Sequence, residues 1–138
     1  MIEKFLNTPT QTLLNQALNA SQLRNDVIAN NIANVDTPGF KRSEVIFEEN
    51  VRQALQKQTN NAKLKITNTR HIQVGNYSGN MPAEVRTLEG LTYRNDGNNV
   101  DIDVENAMLA KNKILYDAVG DSFSKEIKLL RLAITGRS

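Results

Sequence analysis

The 138 residues contain no cysteine and no tryptophan, and aromatic side chains make up only 5% of them. Without thiols there is no disulfide framework and no thiolate cage for a metal. With so few rings, a thick globular core would have to be built almost wholly from Leu, Ile, Val and Ala. Much of the chain is under-provided for that, and its length suits one elongated unit, 1–138, rather than two folded domains. Long apolar runs are missing too: nothing approaches the roughly 18 consecutive residues that span a bilayer as a helix, so a soluble chain is expected. The opening Met1-Ile2-Glu3-Lys4-Phe5-Leu6 lacks the basic start, apolar stretch and small-residue cleavage site of a secretory signal. Any route out of the cytoplasm is therefore expected to be an uncleaved one. Seventeen Lys and Arg against fifteen Asp and Glu leave a net charge of +2. The two signs are interspersed, which argues against a nucleic-acid partner.

Catalytic equipment is equally scarce. His71 is the only histidine, so no multi-histidine metal site exists within one chain, and acid–base chemistry would have to be centred on that one ring. No nucleophile elbow, Walker loop or dinucleotide fingerprint occurs, and Gly75, Gly79, Gly90 and Gly97 are isolated. Asp96, Asn98, Asp101, Asp103 and Glu105 superficially suggest a calcium loop. Val100 interrupts the alternation, however, and no glycine holds the sixth position. These acids read more simply as a turn followed by helix-start charges. Lys41, Arg42, Lys57, Lys63, Lys65 and Arg70 are diluted by Glu44, Glu48 and Glu49, and no nucleic-acid-binding motif accompanies them. Neither catalytic residues, nor a metal, nor a cofactor is expected.

What is present is helical punctuation. Thr8-Pro9-Thr10-Gln11 has an N-cap threonine, a proline at the first helical position and a glutamine to close a capping box. A helix of about 9–35 is expected, stopped by Asp36-Thr37-Pro38-Gly39. Leu14, Leu18, Ser21, Asn25, Ile28, Ile32 and Val35 alternate four and three apart, a coiled-coil seam with an asparagine inside it. Leu13, Ala20, Leu23 and Val27 make a second apolar stripe beside it. Asn30, Asn31 and Asn34 are odd in a helix end, because their amides compete for backbone hydrogen bonds. They read either as fraying and C-capping or, with Arg24 and Asn25, as hydrogen bonds across a subunit contact.

The middle, 36–100, is expected to hold a turn, a short helix over Glu44–Leu55 carried by Phe47, Val51 and Leu55, and a loop-rich stretch with a strand-like patch at Leu64–Thr67. After the turn Asp96-Gly97-Asn98-Asn99, a second long helix is expected from about Asp103 to Thr135, stopping at Gly136. Met108, Leu115, Val119, Phe123, Ile127, Leu130 and Ile134 share one side of it; Ala107, Ile114, Ala118, Leu129 and Leu132 share the next. The fold class is thus mainly α: long N- and C-terminal helices forming a coiled-coil-like pair, with a short helix and a little β structure between. Two packed helices within a monomer would satisfy part of the pattern. Apolar arcs this wide favour burial between subunits. The expected assembly interface comprises Leu14, Leu18, Asn25, Ile28, Asn31, Ile32, Asn34, Met108, Leu115, Val119, Phe123, Ile127, Leu130 and Ile134.

The run from Leu23 to Arg42, with Ala29-Asn30-Asn31-Ile32-Ala33-Asn34 and Asp36-Thr37-Pro38-Gly39-Phe40-Lys41 at its centre, resembles the N-terminal signature of bacterial flagellar rod and hook proteins. Thr67 to Ile72, Gly97-Asn98-Asn99-Val100-Asp101-Ile102 and the short length resemble the proximal rod proteins within that group. Where they commonly have Glu after Val-Asp-Leu, this chain has Ile102 and then Asp103, which keeps the negative helix start. The resemblance implies a mechanical subunit of the basal-body rod in the cell envelope. It also implies export by the flagellar type III apparatus, and as partners copies of itself, other rod proteins and the adaptor joining rod to membrane ring. A self-contained helical binding module, another rod-family subunit, and an enzyme centred on His71 are the competing readings.

Overall fold

The computed structural model describes residues 8–53, 83–90 and 94–136. His71 and the patch at Leu64–Thr67 lie outside the described residues.

Helix α1 spans Pro9–Ala33 and starts as its sequence dictates. Thr8 Oγ1 accepts from the Gln11 N–H at 3.2 Å, while the Thr8 N–H donates to Gln11 Oε1 at 3.3 Å, a closed capping box. At the other end the Asn34 N–H closes on the carbonyl of Asn30, and the chain turns through 35–39.

Strand β1, Ser43–Ile46, pairs antiparallel with β2, Glu84–Thr87, in the register Ser43↔Thr87 to Ile46↔Glu84. The helix expected from Glu44 therefore starts late: Glu44, Val45 and Ile46 are extended, and only 48–53 are helical among the described part of that stretch. The cause is nonlocal. The hydrogen-bonding partner of β1 comes from about forty residues further along the chain, and Val45 is buried while its neighbours are not, the alternation of a strand.

Helix α2 covers Ile102–Thr135. Asp101 is its N-cap, with one side-chain oxygen accepting from the N–H groups of Asp103 at 2.9 Å and Val104 at 3.3 Å. Gly136 ends it in the left-handed conformation, its N–H on the Leu132 carbonyl. At 1.5 Å per residue, the 34 residues of α2 reach about 51 Å and the 25 of α1 about 38 Å.

The two helices pack together within the chain. Glu105 meets Asn31, and two turns on Asn112 meets Asn25 and Ser21, so they run antiparallel. Among the described residues the buried large apolar side chains are Ile28, Val45, Phe47 and Val100, and Ala20 is buried as well. The fully enclosed positions are otherwise polar: Asn31, Asn98, Glu105 and Asn112.

Candidate functional site: a polar clasp beside an open helix face

Asn31 sits on the last turns of α1, against the edge of β1 that β2 leaves unpaired. Its Oδ1 accepts from the Ser43 N–H at 3.0 Å and its Nδ2 donates to the Ser43 carbonyl at 2.8 Å. One carboxamide thus imitates a third strand. The same Nδ2 donates to Glu105 Oε2 at 3.1 Å. The other oxygen of Glu105 accepts from Arg42 Nε in an ion pair. Burying an unpaired carboxylate costs many kcal/mol, so this arginine and this asparagine are what allow Glu105 to be wholly enclosed. The Arg42 N–H donates to Asn99 Oδ1 at 2.6 Å, and Asn99 Nδ2 donates to the Leu88 carbonyl at 2.7 Å, just past β2.

Asn98 closes the turn after α1. Its Nδ2 donates to the carbonyls of Asn34 and Val35 at 3.0 Å and of Thr37 at 2.9 Å, while its Oδ1 accepts from the Val100 N–H at 2.7 Å. Two glycines let the turns touch. Gly39 (φ +72°) donates its N–H to the Asp96 carbonyl at 2.9 Å, and Gly97 (φ +80°) packs against it; both hold backbone angles that side chains disfavour. Lys41 Nζ donates to the Gly97 carbonyl at 2.7 Å.

A second tie lies two turns down the pair. Asn112 Nδ2 donates to the Ser21 carbonyl at 2.8 Å and to Asn25 Oδ1 at 2.7 Å, and its own Oδ1 accepts from Arg24 at 3.3 Å. Arg24 also donates to both carboxylate oxygens of Glu48, each at 2.8 Å, fastening the helical residues 48–53 to the pair. Nearby, hydrogen bonds from Arg52 and Gln53 hold the exposed Glu49 carboxyl below its ordinary pKa, and Glu49 in turn raises that of Arg52.

These contacts redistribute the roles expected from sequence. Asn31 and Ile28 are enclosed within the chain, and Asn34 binds Asn30 and Thr37 locally, so the Asn31 and Asn34 amides work inside the subunit. The physical reason is that the β1 edge and Glu105 satisfy the Asn31 carboxamide within the chain. Asn25 lies in the seam facing Asn112. Leu14, Leu18, Ile32, Val119, Phe123 and Leu130 are half-buried, and Met108, Leu115, Ile127 and Ile134 are exposed. The acids that suggested calcium act as a turn acceptor (Asp96, toward the Asn98 N–H), a helix cap (Asp101) and half of an ion pair (Glu105). Among the described residues no group of three or more potential ligands could hold a metal.

Sequence reasoning missed the roles of Glu105, Arg42, Asn98 and Asn99 in the clasp and of Asn112 in the second tie. Only Asn112 carried a local signal, a poor helix former in a helix interior.

Outside the clasp, one flank of α2 is exposed. Ile114 is 70% exposed, Leu129 61% and Ile134 77%, and Val104, Met108, Leu109, Leu115, Ile127 and Leu132 are also exposed. That is far more apolar surface than one helix of a monomer normally shows to water. No described helix is long and apolar enough to cross a membrane. Two small clefts, about 180 and 160 Å³, flank α2 and share Arg24 and Met108.

A cross-tied helix pair with an exposed apolar flank and small clefts has the form of a structural protein. Residues 14–41 match the family described as flagella basal body rod protein. The chain is 37% identical to flagellar basal body rod protein FlgB of Borrelia hermsii, over 88% of this chain and 93% of that one. It is 31% identical to FlgB of Bacillus subtilis (89% and 91%) and 33% identical to FlgB of Escherichia coli (82% and 83%). The chain belongs to the flagellar basal-body rod protein family, in its FlgB group, and is a structural subunit of that rod.

Proposed function

We propose that this subunit builds the proximal part of the rod, docking through its terminal helices onto copies of itself and other rod proteins to carry torque from the motor to hook and filament. The observation behind the reading is the pairing of a saturated polar clasp with an apolar α2 face. The clasp fixes the geometry of one subunit, and the open face supplies the driving force for joining the next. The role is mechanical, without catalysis. The family likeness further suggests passage through the flagellar type III export apparatus without a cleaved signal, a periplasmic position, and contact with the rod-to-ring adaptor.

Incorporation tests this directly. Leu129→Asp and Ile134→Asp place a charge on the exposed face without entering the clasp. They are expected to leave the helix content of the purified chain unchanged and to abolish recovery of the subunit in isolated basal bodies. Normal recovery of both variants would sink the reading. A second reading, a self-contained helical binding module, draws on the clasp being satisfied within one chain; it requires a cooperative melt whose midpoint ignores protein concentration.

A further inference from the structure

Helix α1 carries only two charged residues, Arg24 and Asp26. Arg24 is turned inward onto Asn112 and Glu48, which leaves Asp26 as the one charge on the outer face. That face runs Asn15, Asn19, Gln22, Asp26, Ala29 and Ala33, all exposed and alternately four and three residues apart. A helix face meant for water usually mixes charges of both signs. Neutral amides, small residues and seam spacing instead suit contact with another helix.

The exposed flank of α2 has the same spacing, from Val104 through Met108, Lys111 and Leu115 to Leu129 and Leu132. The charges it carries, Lys111 and Lys125, are both basic. Neither Asp26 nor Lys111 forms an ion pair among the described residues. The two also lie at one height along the helix pair, since Asn25 is bonded to Asn112 within the chain.

Resting on the rod-subunit reading, we propose that the outer face of α1 of one copy packs antiparallel on the Val104–Leu132 flank of α2 of the next, the copies standing level and in the same orientation, with Asp26 paired to Lys111. The two patches differ, so each copy offers one and accepts on the other, and the contact repeats instead of closing as a two-fold dimer. Lys111 lies beside Arg24 and Glu48 at the cleft of about 180 Å³, and because Glu48 already neutralises Arg24, Lys111 is the cation there left for an incoming carboxylate.

The absence of native cysteine makes the test direct. Chains carrying Asp26→Cys with Lys111→Cys are oxidised in isolated basal bodies and separated without reductant. A ladder of linked subunits is expected from the double variant and none from either single variant, because identical positions do not face each other. In addition, Asp26→Lys is expected to lower incorporation by about tenfold or more, and Lys111→Asp in the same chain to restore it. The assignment is overturned if the double-cysteine chain stays monomeric, if a single variant links to itself, if Asp26→Cys with Lys125→Cys gives the ladder instead, or if the charge exchange restores nothing. Helix content of each purified variant separates a lost contact from a lost fold. Absence of the unaltered chain from basal bodies would defeat the rod reading itself, whereas its presence beside normally incorporated Asp26→Lys defeats only this pairing.

Discussion

Asn98 spends one carboxamide on three carbonyls and an N–H, so a single residue closes the end of α1 against the chain arriving from β2. Replacing it by alanine strands acceptors that water reaches only in part, and Asn98→Ala is expected to cost about 2 kcal/mol in urea unfolding. Glu105 is a different case, because removing one member of an enclosed ion pair leaves the other uncompensated. Glu105→Leu is expected to lose about 3 kcal/mol, and the double change with Arg42→Met to lose less than that single change, since both charges then leave together. A double variant worse than Glu105→Leu would show that Arg42 has a second role. At this scale the sequence was least readable. Glu105 looks like any acid in a first helical turn, and nothing near it announces an arginine 63 positions away or the Asn31 amide across the pair.

Elements were more legible, because caps are local. Thr8, Gln11, Asp101 and Gly136 mark helix ends through side-chain oxygens and backbone angles that depend on residues at most four apart. Asp101→Ala is accordingly expected to cost about 1 kcal/mol, read as a shift in the denaturation midpoint. The ribbon was harder. Phe47, Val51 and Leu55 impose a helical period that masked the four residues of β1, and β2 is exposed along its whole length, so it has no apolar alternation to detect. The elements also differ in how they are held. Over 102–112, α2 is tied by Asn31, Arg42, Asn25 and Arg24, while no hydrogen bond or ion pair joins the side chains of 127–134 to α1 among the described residues. Hydrogen exchange on the purified chain should therefore be slow over 102–112 and fast over 127–135. Uniform protection along α2 would contradict this gradient.

For the whole molecule, the balance between enclosed polar and exposed apolar groups runs opposite to that of a free-standing globule. The fold closes on amides and one carboxylate, and its oily surface is left for something outside the chain. Stability should then rise with concentration: a melt followed over a hundredfold range of protein is expected to shift upward as copies cover α2. The family signature takes on a particular meaning in this frame. Arg24, Asn25, Asn31 and the 34–37 turn are engaged by Asn112, Glu105 and Asn98, so the matched stretch 14–41 shapes the subunit from within and leaves partner selection to its outward residues.

The clasp also imposes an order of events. Its early half lies in residues 21–48 and its late half in 98–112, so a chain delivered amino end first has only the Ser43 backbone and Glu48 to fasten α1 until more than two thirds of its length has passed. Until then α1 lacks α2 against it, and a helix of its length is of marginal stability in water. The last third of the chain acts as the key that locks the first, and a subunit interrupted before residue 98 loses every tie between α1 and α2.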